Sequence, residues 1–395
     1  MDKWVEIDAD KVVQNLAAVQ EKLKSETLLL AVLKNNAYGQ GDVSVGQLLA
    51  RKGVTYFGVT YLEEAMKLRQ AGIETDILIF APLETAEDLK LAFRNNLTVT
   101  VASQHDAQLV NLVGDSLNFR LRVHIKMDTG LSRFGLSAGE LVAVCQSLKE
   151  NEQINLEGIY THMADPGNRT YTKIQFDRFQ AGLESLEAVR IRFRLRHCAG
   201  SAVFLNYPHM HLDMVRIGTL LTGQFPAGMT DPEMNLADPF QFKTKIVAVN
   251  ARVKGAFVGY KRTHRLSRRM NIAVIPVGYA DGLAVEVNNP PEGFVDLLKR
   301  MAKQFLAFFK VGRFRLKVQI NDHSYPVVGK VFMQMALVEI PITIHIEPGD
   351  EVIVPVRKTL IGKEVARVFA QSGEVGMVDN RYVTKEEEEA SAAQS

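Results

Sequence analysis

Cysteine is nearly absent from this chain, with two in 395 residues, and there is a single tryptophan. Cys145 and Cys198 are too few for a disulfide framework and fit a reducing compartment. An excess of one charge is missing too. Forty-seven Lys and Arg face 45 Asp and Glu, for a net charge of +2, so charge points to neither nucleic acid nor a membrane as the main partner. No apolar run approaches the roughly 20 residues of a transmembrane helix. The opening segment Met1-Asp2-Lys3-Trp4-Val5-Glu6-Ile7 lacks the apolar core of a signal peptide. These absences predict a cytoplasmic protein. What is there, 47% apolar and 23% charged residues, suffices for two domains with sizeable cores.

From about residue 8 to 225, apolar β-branched runs alternate with helical periods. The runs are Leu28–Leu33, Tyr56–Thr60, Ile77–Ala81, Leu97–Ala102, Leu121–Met127, Leu156–His162, Phe193–Ala199 and Met214–Leu221. The first helix carries Val12, Val13, Leu16, Val19 and Leu23 on one face, with Asp10 read as its N-cap. Ser137-Ala138-Gly139-Glu140 reads as a capping box. Eight strand–helix units in series favour a (β/α)8 TIM-like barrel over a doubly wound sheet, which periodicity by itself leaves open. After about residue 235, short strands punctuated by Gly and Pro predict a mainly β domain. The domains expected are therefore 8–230, a barrel, and 1–7 with 231–383, a mainly β domain. Residues 293–309 form a basic amphipathic helix candidate. It is expected to pack on the β domain as an insertion, although such helices also suit membrane surfaces. The glutamate-rich tail 384–395 is expected to be disordered.

One string carries most of the chemistry: Ala31-Val32-Leu33-Lys34-Asn35-Asn36-Ala37-Tyr38-Gly39-Gln40-Gly41. It delivers an amine at the mouth of a buried strand, where desolvation lowers a lysine pKa and makes a nucleophile or base. The string resembles the pyridoxal-phosphate lysine motif of the alanine racemase family, with Gln40 where histidine is commoner. The resemblance implies that Lys34 carries pyridoxal 5'-phosphate and serves as one of two catalytic bases. Val277-Gly278-Tyr279-Ala280-Asp281-Gly282 resembles the family's G-Y-A-D-G, which implies that Tyr279 is the second base and enters from the other subunit of a homodimer. Racemisation needs such a pair, one acid/base group on each face of the planarised Cα, with the cofactor as electron sink.

Further strings extend the resemblance. His197-Cys198-Ala199-Gly200-Ser201-Ala202 and Met214-Val215-Arg216-Ile217-Gly218-Thr219 are similar to the family's H-C-A-N-S-A and M-V-R-x-G. They imply phosphate binding by Ser201, Gly218 and Thr219 with Tyr38, and an Arg216 facing the pyridine nitrogen. Gly158-Ile159-Tyr160-Thr161-His162-Met163-Ala164 implies that His162 links Arg216 to Tyr279. Lys126-Met127-Asp128-Thr129-Gly130-Leu131-Ser132-Arg133 implies that Arg133 binds the substrate carboxylate and that Lys126 is the lysine that many members carbamylate. In the β domain the likeness weakens. Met333 is retained as a substrate contact, but Lys330 and Gln334 replace an arginine and an acid, and Thr222 stands where tyrosine is usual. Tyr382 is the nearest counterpart of a tyrosine that helps to bind phosphate. The implied activity is interconversion of L- and D-alanine, the alternative being a racemase of the same fold with another or broader amino-acid substrate. A fold-related decarboxylase fits Arg216 poorly, and a non-catalytic cofactor-binding protein has no use for two opposed bases.

Overall fold

The computed structural model describes residues 2–116, 120–286, 288, 290–291, 293–309, 316–371 and 374–377. The chain forms two compact units, one built on Asp8–Pro239 and the other on Met1–Ile7 with Phe240–Ala370.

In the first unit, eight strands are each separated by helical segments: β1 Leu28–Val32, β2 Tyr56–Val59, β3 Asp76–Ile79, β4 Leu97–Val101, β5 Leu121–Lys126, β6 Ile154–Tyr160, β7 Leu195–His197 and β8 Met214–Ile217. They pair in parallel in the order β7-β6-β5-β4-β3-β2-β1-β8. Closure comes from a parallel bridge between Gly200 and Arg216, beside a hydrogen bond from Arg216 N to Ala199 O of 2.9 Å. The sheet is a closed barrel and not a doubly wound layer. Because side chains line its interior while helices cover its exterior, the strands read as nearly continuous apolar runs. Leu30, Val32, Tyr56, Leu78, Leu195 and Met214 form one cluster inside it. Two-residue alternation along β1 from Leu30 through Val32 brings residue 34 to the same face at the strand's C-terminal end, the end where barrels of this kind build their sites.

Local chemistry sets the helix starts. The helix Ala9–Glu21 is capped by Asp8, whose carboxylate accepts from Lys11 N at 3.1 Å, and not by Asp10, which falls within its first turn. Asp8 is the residue that keeps extended backbone angles, as an N-cap must. The Ser137 capping box forms as expected, with Glu140 accepting from Ser137 N at 2.9 Å.

The second unit is an antiparallel assembly. Its strands include β9 Phe240–Lys245, β10 Ala248–Arg252, β11 Met270–Ile275, β12 Lys317–Ile320, β13 His323–Val328, β14 Ala336–Pro341 and β15 Glu351–Ile353. The sheet order runs β10-β11-β14-β13-β12-β15-β9, followed by the N-terminal strand Lys3–Asp8, which pairs with β9. One expectation fails here. The segment Phe294–Phe308 is a helix, but its apolar stripe does not pack: Phe294, Met301, Phe305 and Phe308 are 73%, 60%, 64% and 80% exposed.

Candidate active site

Lys34 lies two residues past the end of β1 and opens a turn of unusual hand. Asn35, Asn36, Ala37 and Tyr38 all have φ between 50° and 57°. Left-handed backbone costs roughly 1–2 kcal/mol per residue for most L-residues, and asparagine tolerates it best. The turn is held from outside as well as from within. Glu64 accepts from Asn35 N at 2.6 Å, Asn36 Oδ1 accepts from Asp42 N at 3.1 Å, and Ala37 N donates to Leu33 O at 2.8 Å. The lysine therefore projects from a braced platform. Burial, then the nearby Arg133, lower the pKa of its amine from the usual lysine value, with Glu64 pulling the other way.

Lys34, Tyr38, Arg133, His162, Ser201, Arg216, Gly218 and Thr219 line a single cavity of about 550 Å³ in the barrel unit. Ser201 Oγ accepts from Gly218 N at 3.3 Å. Gly218 is required by its neighbour, because a Cβ there would lie 2.1 Å from the Tyr38 hydroxyl oxygen. Burial raises the Tyr38 phenol to about 12, so it remains a hydrogen-bond donor at neutral pH.

Arg216 is 5% exposed and sits at the head of a directed line of donors. Its Nη1 meets His197 Nδ1 at 2.8 Å, His197 Nε2 meets His124 Nδ1 at 2.9 Å, and His124 Nε2 meets Glu157 Oε2 at 3.3 Å. A guanidinium only donates, so His197 Nδ1 must accept. Its proton then lies on Nε2 and points at His124, which in turn donates to Glu157. Both imidazoles are neutral single tautomers, and burial, followed for His197 by the charge of Arg216, keeps their pKa values down. Arg216 Nη2 donates to Thr161 O at 2.8 Å and to His162 Nδ1 at 3.2 Å. His162 is held well below its usual value by burial and by Arg216. Burial also lowers Arg216, to about 10, which still leaves it a cation at neutral pH.

Lys126 lies beneath the cavity, 2% exposed, with Nζ 4.7 Å from the centroid of the Tyr160 ring and without a hydrogen-bond partner among the described residues. Burial first, then Arg216 and Arg133, push its amine well below the ordinary lysine range. Arg133 projects from a loop ordered by Asp128, whose carboxylate accepts from the backbone N–H groups of Gly130, Leu131 and Ser132. Tyr279 and Met333 belong to the other unit. There Tyr279 N donates to Phe332 O and Ala280 N to Met333 O, both at 3.0 Å, which sets the two residues on adjoining loops. Gly278 permits this, since a Cβ would meet the carbonyl oxygens of Phe332 and Met333 at 2.3 Å. Tyr279 is 49% and Met333 58% exposed in the single chain. Tyr382 lies outside the described residues.

Sequence reasoning passed over Tyr160, Glu157, His124 and the part of His197 in holding Arg216. Tyr160 lines the cavity with Lys126 and Arg216 over its ring. Stepping back two residues along a strand from each recognised site residue would have found two of them: Tyr160 from His162, and His124 from Lys126.

Residues 7–226 match the family model described as alanine racemase, N-terminal domain, and residues 240–377 match alanine racemase, C-terminal domain. The chain belongs to the alanine racemase family. It is 33% identical over 353 residues to alanine racemase 1 of Caldanaerobacter subterraneus subsp. tengcongensis, covering 89% of this chain and 84% of that protein. It is 31% identical over 365 residues to the alanine racemase of Methanococcus maripaludis, covering 91% and 89%. Among solved structures, alanine racemase from Clostridium difficile 630 superposes with a TM-score of 0.84 at 27% identity, covering 97% of this chain and 99% of that one. Alanine racemases are isomerases of the pyridoxal-phosphate-dependent class, and the barrel followed by a mainly β domain is their architecture.

Proposed function

We propose that this protein is an amino-acid racemase that interconverts L- and D-alanine with Lys34 and Tyr279 as its two bases. The observation that carries the proposal is the convergence of a pKa-lowered lysine, a cluster of Ser201, Gly218 and Tyr38 and a buried arginine in one cavity. The residues present fit pyridoxal 5'-phosphate. Ser201, the backbone of Gly218 and Thr219, and the Tyr38 hydroxyl form a donor-rich pocket in which no side chain beyond glycine is admitted at position 218. Tyr382 is proposed to join them. When bound, the cofactor supplies the electron sink that lets an amino acid's Cα proton leave.

The chain's own groups do the rest. Arg216, locked as a donor by its line to Glu157, offers a ring nitrogen an N–H and no proton, which favours reversible proton exchange over side reactions. Arg133 is suited to bidentate capture of the substrate carboxylate. Lys126 as a neutral amine can add CO2, forming an N–C bond and releasing one proton. The resulting carbamate anion would give its unpartnered nitrogen a role in orienting Arg133. Lys34 takes or returns the Cα proton on one face and Tyr279 does so on the other, with His162 between Arg216 and the phenol. Met333 is proposed to contact substrate beside Tyr279. Because Tyr279 and Lys34 must flank one substrate, the proposed working form is a homodimer in which Tyr279 acts across the interface, in the cytoplasm, on a small amino acid.

Incubation of the purified protein with single enantiomers of alanine, serine and basic amino acids, read by chiral chromatography, tests this. Racemisation fastest with alanine is the expected result. A preference for another amino acid would support the alternative substrate reading and trace to Lys330, Gln334 or Thr222, and no racemisation of any would refute the assignment.

A further inference from the structure

The helix Phe294–Phe308 leaves its large apolar side chains exposed. At 15 residues it is about 22 Å long, too short to cross the roughly 30 Å of a bilayer's hydrocarbon core. At 100° per residue, Phe294, Leu297, Leu298, Met301, Phe305 and Phe308 fall within about 120° of arc. All six are exposed, from 39% at Leu297 to 80% at Phe308. Lys299 and Lys303 lie opposite and Arg300 on the flank, with Lys303 meeting Glu286 and Arg300 meeting Asp296 at the surface. From 294 to 317 the sequence holds seven lysines and arginines against one aspartate, in a chain whose net charge is only +2. One of the chain's two most basic stretches thus lies on and just after this helix, the other being 252–269, where seven lysines and arginines meet no acid.

We infer that the helix Phe294–Phe308 docks the protein on an anionic lipid surface, its phenylalanine stripe entering the headgroup boundary and its basic face meeting the headgroups. Charge complementarity decides the occupant. A second copy would bring one strongly cationic segment beside another, whereas anionic headgroups gain from each lysine or arginine held near them. The helix lies in the plane of the interface and does not span it. Among the described residues, no helix is long and apolar enough to cross a membrane. This qualifies the expectation, drawn from net charge, that a membrane is no main partner: an average of +2 conceals a local patch. The inference stands on this helix and not on the racemase assignment.

Vesicle co-sedimentation of the full chain tests it. The protein should pellet with vesicles of 70% phosphatidylcholine and 30% phosphatidylglycerol in 0.1 M salt, at least about tenfold more than with pure phosphatidylcholine vesicles. Phe305→Glu with Phe308→Glu should abolish pelleting, and Lys299→Glu with Lys303→Glu should remove the preference for anionic vesicles. Both pairs are exposed, so the thermal midpoint should not move. Failure to pellet with anionic vesicles, or pelleting that survives the double phenylalanine change, overturns the inference. Concentration-dependent self-association without lipid, lost in that same variant, would overturn it in favour of a second copy on the stripe.

Discussion

Glu157→Gln cuts the anchor of the line that begins at Arg216 while keeping the side chain's shape. In the native barrel, Glu157 Oε1 accepts from Arg194 at 2.7 Å, and Oε2 accepts from Tyr56 at 2.8 Å and from His124 at 3.3 Å. Burial alone would raise this carboxyl, but the donors from His124, Arg194 and Tyr56 outweigh it and bring it from 4.5 to about 2. With the side chain only 5% exposed, solvent screens little of this. At about 1.4 kcal/mol per unit, the shift corresponds to a stabilisation on the order of 3 kcal/mol at neutral pH. The sign follows from which state takes the proton first. As pH falls, the unfolded chain protonates Glu157 near 4.5 while the folded chain holds out to about 2, so the contribution is complete above 4.5 and lost across that window. Glutamine has no such dependence. Urea unfolding followed by circular dichroism should therefore find the variant on the order of 3 kcal/mol less stable at pH 7, with the gap to wild type narrowing by about 2 kcal/mol at pH 3. A gap equal at both pH values would mean that Glu157 is not an ionised anchor, and the tautomers derived for His124 and His197 would fall with it.

Gly218→Ala should drive the Tyr38 hydroxyl from its place, since the new Cβ would lie 2.1 Å from it. Affinity for pyridoxal phosphate, titrated by absorbance, is expected to drop about tenfold or more, and unchanged affinity would remove Tyr38 from the phosphate site. Lys34→Ala and Tyr279→Phe homodimers should each be nearly inactive. Mixed and allowed to exchange, they should recover about a quarter of wild-type activity, because half the dimers are mixed and each has one site with both bases. No recovery despite verified exchange would put Tyr279 in the same chain's site.

The barrel was legible because its strands are covered on both faces and so read as eight apolar runs separated by helical periods, each overlapping a strand of the structure. Lys34, Ser201 and Arg216 were legible because their surrounding strings are specific. The line from Arg216 to Glu157 was not, and the reason is a register shift. Val123 pairs with Leu156 and His124 with Gly158, so Glu157 is skipped and strict alternation misassigns its face. Gly158 makes room for this, since any Cβ there would lie within 2.7 Å of the His124 ring. The cap at Asp8 was missed because Asp8 and Asp10 are equivalent to composition, and only backbone angles separate them. The exposed stripe of Phe294–Phe308 was misread because amphipathicity reports that a helix has a face to cover and not what covers it.

The left-handed turn after Lys34 also bears on time. No local preference of the free chain favours four successive residues in that conformation, so it gains nothing by forming early. One brace, Asp42 N on Asn36, is only six residues away, but the other, Glu64 of the helix Leu62–Gln70, follows β2 and cannot reach Asn35 until β1 and β2 have paired. The lysine platform is thus expected to be among the last parts of the barrel to set, with φ-values near zero at Glu64 as its signature and high ones there as its disproof. A nascent chain would then carry an ordinary, hydrated lysine through most of folding and acquire a reactive one only at the end.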